Sequence, residues 1–211
     1  MERPRSGLQQ RIFAWALARF NERYERFAAE YKRNLLADLS GTVVEIGPGT
    51  GANLKYLNRD RVRWIGIEPN RFMNSYLHDE AQKLGMAIEI RTGTANWLPM
   101  ENNSVDAVIS TLVLCCVPNQ EQVLREAMRV LRPGGMLVFI EHVAAEPHTR
   151  LRRIQNFIVP LWKRLGDGCE PNRETWRAIE QAGFEKVQYE RITVPIIAIV
   201  SPQILGTATK R

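Results

Sequence analysis

A chain of 211 residues with 45% hydrophobic and 25% charged residues has the composition of a folded domain with one well-buried core, which excludes disorder, collagen-like repeats and coiled coils. Lys and Arg outnumber Asp and Glu by 29 to 23, giving a formal net charge of +6. Acidic residues are interleaved along most of the chain, so the excess does not single out nucleic acid as a partner.

The first predicted element is helical. Phe13, Leu17, Phe20, Tyr24, Phe27, Tyr31 and Leu35 recur at steps of three and four, one stripe of a helix that Gly41 ends, so residues 1–40 read as a helical extension to a single domain spanning 1–211. The basic residues beside that stripe, Arg11, Arg19, Arg23, Arg26, Lys32 and Arg33, suit a lid, core packing or a membrane-surface helix. Residues 42–46 form a β-branched strand that stops at Gly47-Pro48-Gly49-Thr50-Gly51, and a helix can resume over 53–57. A second strand over 61–68 follows, then a helix capped by Asn70 and closed by Gly85, then a third strand over 86–91.

Residues 105–114 are nearly all apolar, as in a strand covered on both faces. A helix built on Val123, Leu124, Ala127, Met128 and Leu131 comes next, with Pro133-Gly134-Gly135 as its stop and a fifth strand over 136–141. This alternation predicts an open parallel sheet with helices on both faces, an α/β fold. The last third reads as helices over 151–165 and from Asn172 to Gly183, then strands over 184–194 and 204–210 with no helix between them, an antiparallel end to the sheet.

A glycine-rich turn between the first strand and the next element lets backbone approach a ligand closely and offers free N–H groups. Gly47, Gly49 and Gly51 occupy that position, and with Ala52 the run fits GxGxG as well as the GxGxxA form of a dinucleotide fingerprint, the pattern of an NAD(P)-dependent reductase. Glu68, at the second strand end, can accept ribose hydroxyls in either case. Glu45 lies two residues before the first glycine, where a carboxylate would repel a pyrophosphate and attract an ammonium group.

The motifs Val43-Val44-Glu45-Ile46-Gly47-Pro48-Gly49-Thr50-Gly51, Ile67-Glu68-Pro69-Asn70, Leu98-Pro99 before Ser104-Val105-Asp106, and Val130-Leu131-Arg132-Pro133-Gly134-Gly135 resemble, in order, those of class I S-adenosylmethionine-dependent methyltransferases. The resemblance implies a Rossmann-like, seven-stranded sheet of order 3-2-1-4-5-7-6 with the last strand antiparallel, and S-adenosyl-L-methionine as cofactor. It implies that Glu45, Gly47, Gly49 and Gly51 hold the methionine portion, Glu68 the ribose hydroxyls and Pro69 one face of the adenine. Thr94 and Ala95 would lie at the adenine edge. The family commonly has an acid where Thr94 stands, and Asn96 is the nearby substitute. Thr111 would approach the methionine end; a strand hydroxyl satisfied by backbone is the other reading.

A narrower resemblance covers most of the chain. Thr111-Leu112-Val113-Leu114-Cys115, Glu141-His142-Val143, Trp162-Lys163, Gly166-Asp167-Gly168-Cys169, Arg173-Glu174-Thr175-Trp176 and Ile204-Leu205-Gly206 are similar to the methyltransferase-like 7 group, thiol S-methyltransferases of the animal endoplasmic reticulum. That group methylates small alkyl thiols and hydrogen sulfide. Methyl transfer to a small apolar thiol is therefore the expected reaction, with N- or C-methylation of a lipid amine or quinone as the rival. A thiol attacking an activated sulfonium methyl needs no metal and only modest help in losing its proton, for which His142 and Asp167 are the candidates. His142 and the neighbouring Glu141 can equally be packing residues, and Asp167 ordinary turn chemistry.

Animal members of that group carry an N-terminal hydrophobic anchor, which this sequence is expected to lack. Its longest apolar stretch, 192–205, is broken by Pro195 and Pro202, against the ~20 residues a membrane span needs. The opening Glu2, Arg3 and Arg5 read as no secretory signal, and Cys115, Cys116 and Cys169 suit neither a disulfide framework nor a zinc site, so reduced, packed thiols in a cytoplasmic protein are expected. The apolar segment 195–200 would be costly to expose unless it covers a hydrophobic acceptor or touches lipid, which predicts peripheral membrane contact.

Overall fold

A computed structural model describes residues 7–211; the opening residues, read above as no secretory signal, lie outside the described residues. One seven-stranded sheet runs through the molecule in the order β3-β2-β1-β4-β5-β7-β6. Its strands are β1 Gly41–Ile46, β2 Val62–Ile67, β3 Ile88–Arg91, β4 Val105–Thr111, β5 Leu131–His142, β6 Lys186–Thr193 and β7 Pro202–Thr209. β1 to β5 pair in parallel, and β7 runs antiparallel to both β5 and β6, the arrangement expected from the sequence.

Strand side chains alternate between two apolar layers, as the pleat requires. Val44, Ile46, Ile65, Ile67, Leu137 and Phe139 join Val123, Leu124, Ala127 and Val130 of α4 (Gln120–Val130) and Ile179 of α6 (Thr175–Gln181). Val43, Trp64, Ala107, Ile109 and Val138 face the other way, onto Leu36 of α2 (Glu22–Leu36) and Leu77 and Ala81 of α3 (Asn74–Leu84). The alternation slips once in β4, where a register shift between Val105 and Ala107 puts Val105 and Val108 in the same layer.

Four expectations change in detail. The single N-terminal stripe is two helices, α1 (Gly7–Phe20) and α2, broken at Asn21, whose side chain turns to Glu25 at 3.3 Å and leaves α2 uncapped. The helix expected over 53–57 is only a 3-10 turn, Leu54–Tyr56, because the chain has four residues after Leu57 to return to β2. β4 ends at Thr111, where Leu112 takes a left-handed φ of 59° and the next residues fold into a turn. Pro133-Gly134-Gly135 lies inside β5, not between helix and strand, since Leu131 is already paired with Val105.

Asn70 caps the next helical stretch as expected, accepting from Phe72 N at 3.1 Å, and Gly85 closes α3 at a left-handed φ of 60°. The C-terminal third adds α5 (Arg150–Leu165) beside the 3-10 turn Ala198–Val200.

Candidate active site

The carboxyl ends of β1, β2, β4 and β5 share one edge of the sheet, which in open α/β sheets is where ligands bind. Gly47, Gly49 and Gly51 all have positive φ, 59°, 57° and 82°, so the turn after β1 is built from a conformation that disfavours side chains. A Cβ on Gly47 would come within 2.8 Å of Val113, so the turn also packs directly against the chain leaving β4.

Glu45 ends β1 pointing into the α2 layer, 2% exposed. Its Oε1 accepts from Asn53 Nδ2 at 2.8 Å and its Oε2 from Trp64 Nε1 at 3.0 Å. Burial pushes its pKa up to about 7, against the opposing pull of those two hydrogen bonds and of the Lys32 charge. Asn53 Nδ2 also donates to Thr111 Oγ1 at 3.0 Å, so Asn53 joins the ends of β1 and β4. Its own Oδ1 is buried without a partner. A buried carbonyl acceptor left open is costly unless a donor arrives, and the ammonium group of an amino acid is such a donor.

Glu68 follows β2 and is also buried. Its Oε2 accepts from Gly49 N at 3.0 Å and its Oε1 from Asn70 N at 2.7 Å, so it ties the glycine turn to the start of the next helical stretch. Burial raises its pKa; the two backbone donors oppose this, and the nearby charge of Asp167 adds to it. Pro69 is exposed beside it. Thr94 is exposed and bridges to Trp97, while Ala95 is buried in the core. Asn96 Oδ1 is a second buried acceptor without a partner, at the position that the sequence offers in place of the missing acid.

The two N-terminal helices cover this edge. Leu17 of α1 lies over the glycine turn, 3.3 Å from where a Cβ on Gly49 would be, and Asn70 Nδ2 donates to Gln10 O at 3.1 Å. From α2, Tyr24 Oη donates to Gln203 at 3.1 Å, beside the end of β5. Lys32, which helical spacing placed on the polar rim, is 1% exposed and pairs with Glu25 at 2.6 Å. Desolvation lowers its pKa, opposed by the charges of Glu25 and Glu45.

At the end of β5, Glu141 and His142 separate into different roles. Glu141 is fully buried and accepts from Ser110 Oγ at 2.6 Å, Val113 N at 3.1 Å and Cys115 N at 3.3 Å, which clamps the turn after β4. His142 is half-buried, with Nδ1 3.8 Å from Cys115 Sγ and 3.6 Å from Cys169 Sγ. Asp167 sits in the turn after α5 with a left-handed φ of 52°, close enough to raise the Glu68 pKa through its charge.

Glu45 and Thr111 are thus joined through Asn53, and Glu68 is tied to Gly49 of the glycine turn, all at the carboxyl edge of the sheet. Asn53 was missed in the sequence; its only signal there is its place two residues beyond the last glycine.

A methyltransferase domain model matches residues 44–139. The human thiol S-methyltransferase TMT1A is 39% identical over 97% of this chain and 88% of its own length. The mouse thiol S-methyltransferase TMT1B is 36% identical over 94% of this chain and 86% of its own. Among solved structures, the geranyl diphosphate C-methyltransferase of Streptomyces coelicolor, crystallised with Mg2+, geranyl diphosphate and S-adenosyl-L-homocysteine, superposes with a TM-score of 0.70 at 17% identity, over 90% of this chain and 80% of that one.

Proposed function

We propose, because this chain belongs to the thiol S-methyltransferase family of S-adenosylmethionine-dependent methyltransferases, that it methylates the sulfur of a small apolar thiol. Its cofactor is S-adenosyl-L-methionine, and the pocket suits that molecule: two buried carbonyl oxygens, Asn53 Oδ1 and Asn96 Oδ1, lack donors, and a buried carboxylate stands beside the first. The observation that carries the sulfur acceptor is the likeness to thiol S-methyltransferases over nearly the whole chain.

Bound in the cleft, the cofactor supplies a methyl group already activated on a sulfonium. Glu45 and Asn53 Oδ1 would hold its ammonium group, with Thr111 fixing the Asn53 amide. Glu68 would exchange the Gly49 N–H for ribose hydroxyls, and Gly47, Gly49 and Gly51 would let backbone lie against the ligand. Pro69, Thr94, Ala95 and Asn96 would border the adenine, Asn96 Oδ1 taking its amino hydrogen. α1 would act as a lid, since Leu17 lies on the glycine turn and excludes water from it.

The acceptor would enter beside β5. A thiol with a pKa near ~8.5 is a few per cent ionised at neutral pH, so orientation next to a cationic methyl supplies most of what the reaction needs. His142, whose Nδ1 faces the cysteines, would offer Nε2 to the leaving proton. Asp167 would close the acceptor side near Glu68.

Peripheral membrane contact is part of the proposal. Among the described residues no helix is long and apolar enough to cross a membrane. α5, however, exposes Ile154, Phe157, Leu161 and Leu165 along one stripe, Phe157 at 88%, and carries five basic residues and no acidic one. Such a face suits an anionic bilayer surface, from which hydrophobic thiols are drawn. Incubation with methyl-labelled cofactor and a panel of alkyl thiols, amines and quinols tests the acceptor: label on the thiols is expected, and label only on an amine or a ring carbon refutes it.

A further inference from the structure

Four soft donors from three separate segments meet at the carboxyl edge of the sheet. Cys115 and Cys116 come from the turn after β4, His142 from the last position of β5 and Cys169 from the turn after α5. The three sulfurs lie within 4.8 Å of one another, with Cys115 and Cys116 Sγ 3.5 Å apart. His142 Nδ1 stands 3.8 Å from Cys115 Sγ and 3.6 Å from Cys169 Sγ.

Those distances can be compared with what a tetrahedral ion demands. With metal–sulfur bonds of ~2.3 Å and a metal–nitrogen bond of ~2.0 Å, tetrahedral ligands stand about 3.8 Å apart for two sulfurs and about 3.5 Å apart for a sulfur and a nitrogen. The Cys115 and Cys116 sulfurs, at 3.5 Å, stand slightly closer than this, His142 Nδ1 lies at 3.6 and 3.8 Å from two sulfurs, and no two of the three sulfurs are more than 4.8 Å apart, so small side-chain shifts would close the site. Ordinary packing does not require three thiols from two distant segments to gather within 4.8 Å of one another with a ring nitrogen beside two of them.

The surroundings favour such a centre. Ile199, Val200, Ile158 and Trp162 wall the cluster with apolar surface. The turns are fixed from outside: Cys115 N donates to Glu141, and Glu170 N donates to Cys115 O at 2.9 Å, which pins the Cys169 turn to the Cys115 turn.

We propose that Cys115, Cys116, Cys169 and His142 Nδ1 form a binding site for one thiophilic divalent cation of the Zn2+ type. Adjacent cysteines alone argue against a metal site in the sequence; the third sulfur and the imidazole, supplied from far along the chain, change that. The proposal is independent of the identity of the methyl acceptor; a cation on Nδ1 keeps the ring proton on Nε2, so in the loaded protein the acceptor's proton leaves to solvent, and His142 takes it only in the metal-free chain. Binding involves no change of oxidation state: the cation forms three bonds to sulfur and one to nitrogen, and the thiol protons leave to solvent.

The test uses the full chain, stripped of metal by a chelator under reducing conditions and titrated with Zn2+ against a chromophoric chelator. In parallel, Cd2+ is added while sulfur-to-metal charge-transfer absorption is followed. Binding of one equivalent is expected, with Cys115, Cys116 and Cys169 protected from alkylation. Cys169→Ser is expected to weaken Zn2+ binding by at least about 100-fold, since loss of a ligand exceeds the 10- to 100-fold effect of losing a partner behind one. Cys116→Ser, at a half-exposed position, is expected to do so while cofactor affinity, the check on folding, stays unchanged. Absence of charge-transfer absorption, equal alkylation with and without Zn2+ in the unsubstituted chain, or equal Zn2+ affinity in the serine variants would overturn the proposal.

Discussion

Replacement of Glu45 by Gln separates the cofactor pocket from an ordinary buried carboxylate. Glu45 is buried and its pKa is pushed up to about 7, mainly by desolvation. The cofactor's α-amino group, with a pKa of ~7.7–8.0, binds best when it is charged and Glu45 is ionised. From about pH 6 to about pH 7.5, a group titrating near 7 goes from about a tenth to about three quarters ionised, while about a third of the ammonium is lost; affinity for S-adenosylmethionine is therefore expected to rise roughly five-fold. Above about pH 8 it is expected to fall as the ammonium deprotonates.

Glu45→Gln is expected to abolish the acid limb of that profile. It should also weaken binding near neutral pH by roughly 10- to 100-fold, the equivalent of the ~1.5–3 kcal/mol associated with a charge-assisted hydrogen bond. Folding depends on pH with the opposite sign. Because the folded pKa lies above the ordinary 4.5, the empty protein retains a proton that the unfolded chain has released between about 4.5 and about 7. The group's contribution thus loses up to about 3 kcal/mol of stability as pH rises through that window. Calorimetric titration across pH, paired with denaturant melts of the empty protein, reads both effects. An unchanged affinity and an unchanged acid limb in Glu45→Gln would refute the assignment of this carboxylate to the ammonium group.

Glu68→Ala removes the clamp on Gly49 N and Asn70 N as well as the proposed ribose contact, and is expected to weaken S-adenosylmethionine binding by at least about 10-fold, measured by titration. Leu17→Asp on the inner side of α1 is expected to speed cofactor release several-fold in stopped-flow displacement, with the acceptor KM changed less. Phe157→Asp with Leu161→Asp is expected to abolish sedimentation with anionic lipid vesicles while leaving turnover of a water-soluble thiol intact. His142→Gln is expected to lower thiol turnover by less than about 10-fold at alkaline pH, where the acceptor ionises unaided, and by more near neutral pH.

The sheet was legible in the sequence because parallel strands between covering helices leave a strong mark: β-branched runs, a glycine turn, and helices bounded by Asn70 and Gly85. The resemblance to methyltransferases supplied the strand order, the turn chemistry singled out Gly47, Gly49 and Gly51, and its place at the second strand end singled out Glu68. What stayed hidden was set by contacts across the chain. Asn53 is a helix-start residue by position, and only the folded chain shows it bridging Glu45 and Thr111. Lys32 reads as solvated by helical spacing and is buried because Glu25 lies beside it and aromatic rings, Tyr24 and Tyr56, surround it. Glu141 and His142 are neighbours on one strand, so they point to opposite faces, and nothing in the residue pattern tells the buried clamp from the half-buried ring.

Product analysis with the full chain, methyl-labelled S-adenosylmethionine and a small alkyl thiol is the most direct measurement. The labelled methyl thioether and S-adenosylhomocysteine are expected to accumulate in equal amounts over many turnovers. Label carried to a quinol or an amine while every thiol is left unmethylated would contradict the assignment of a sulfur acceptor.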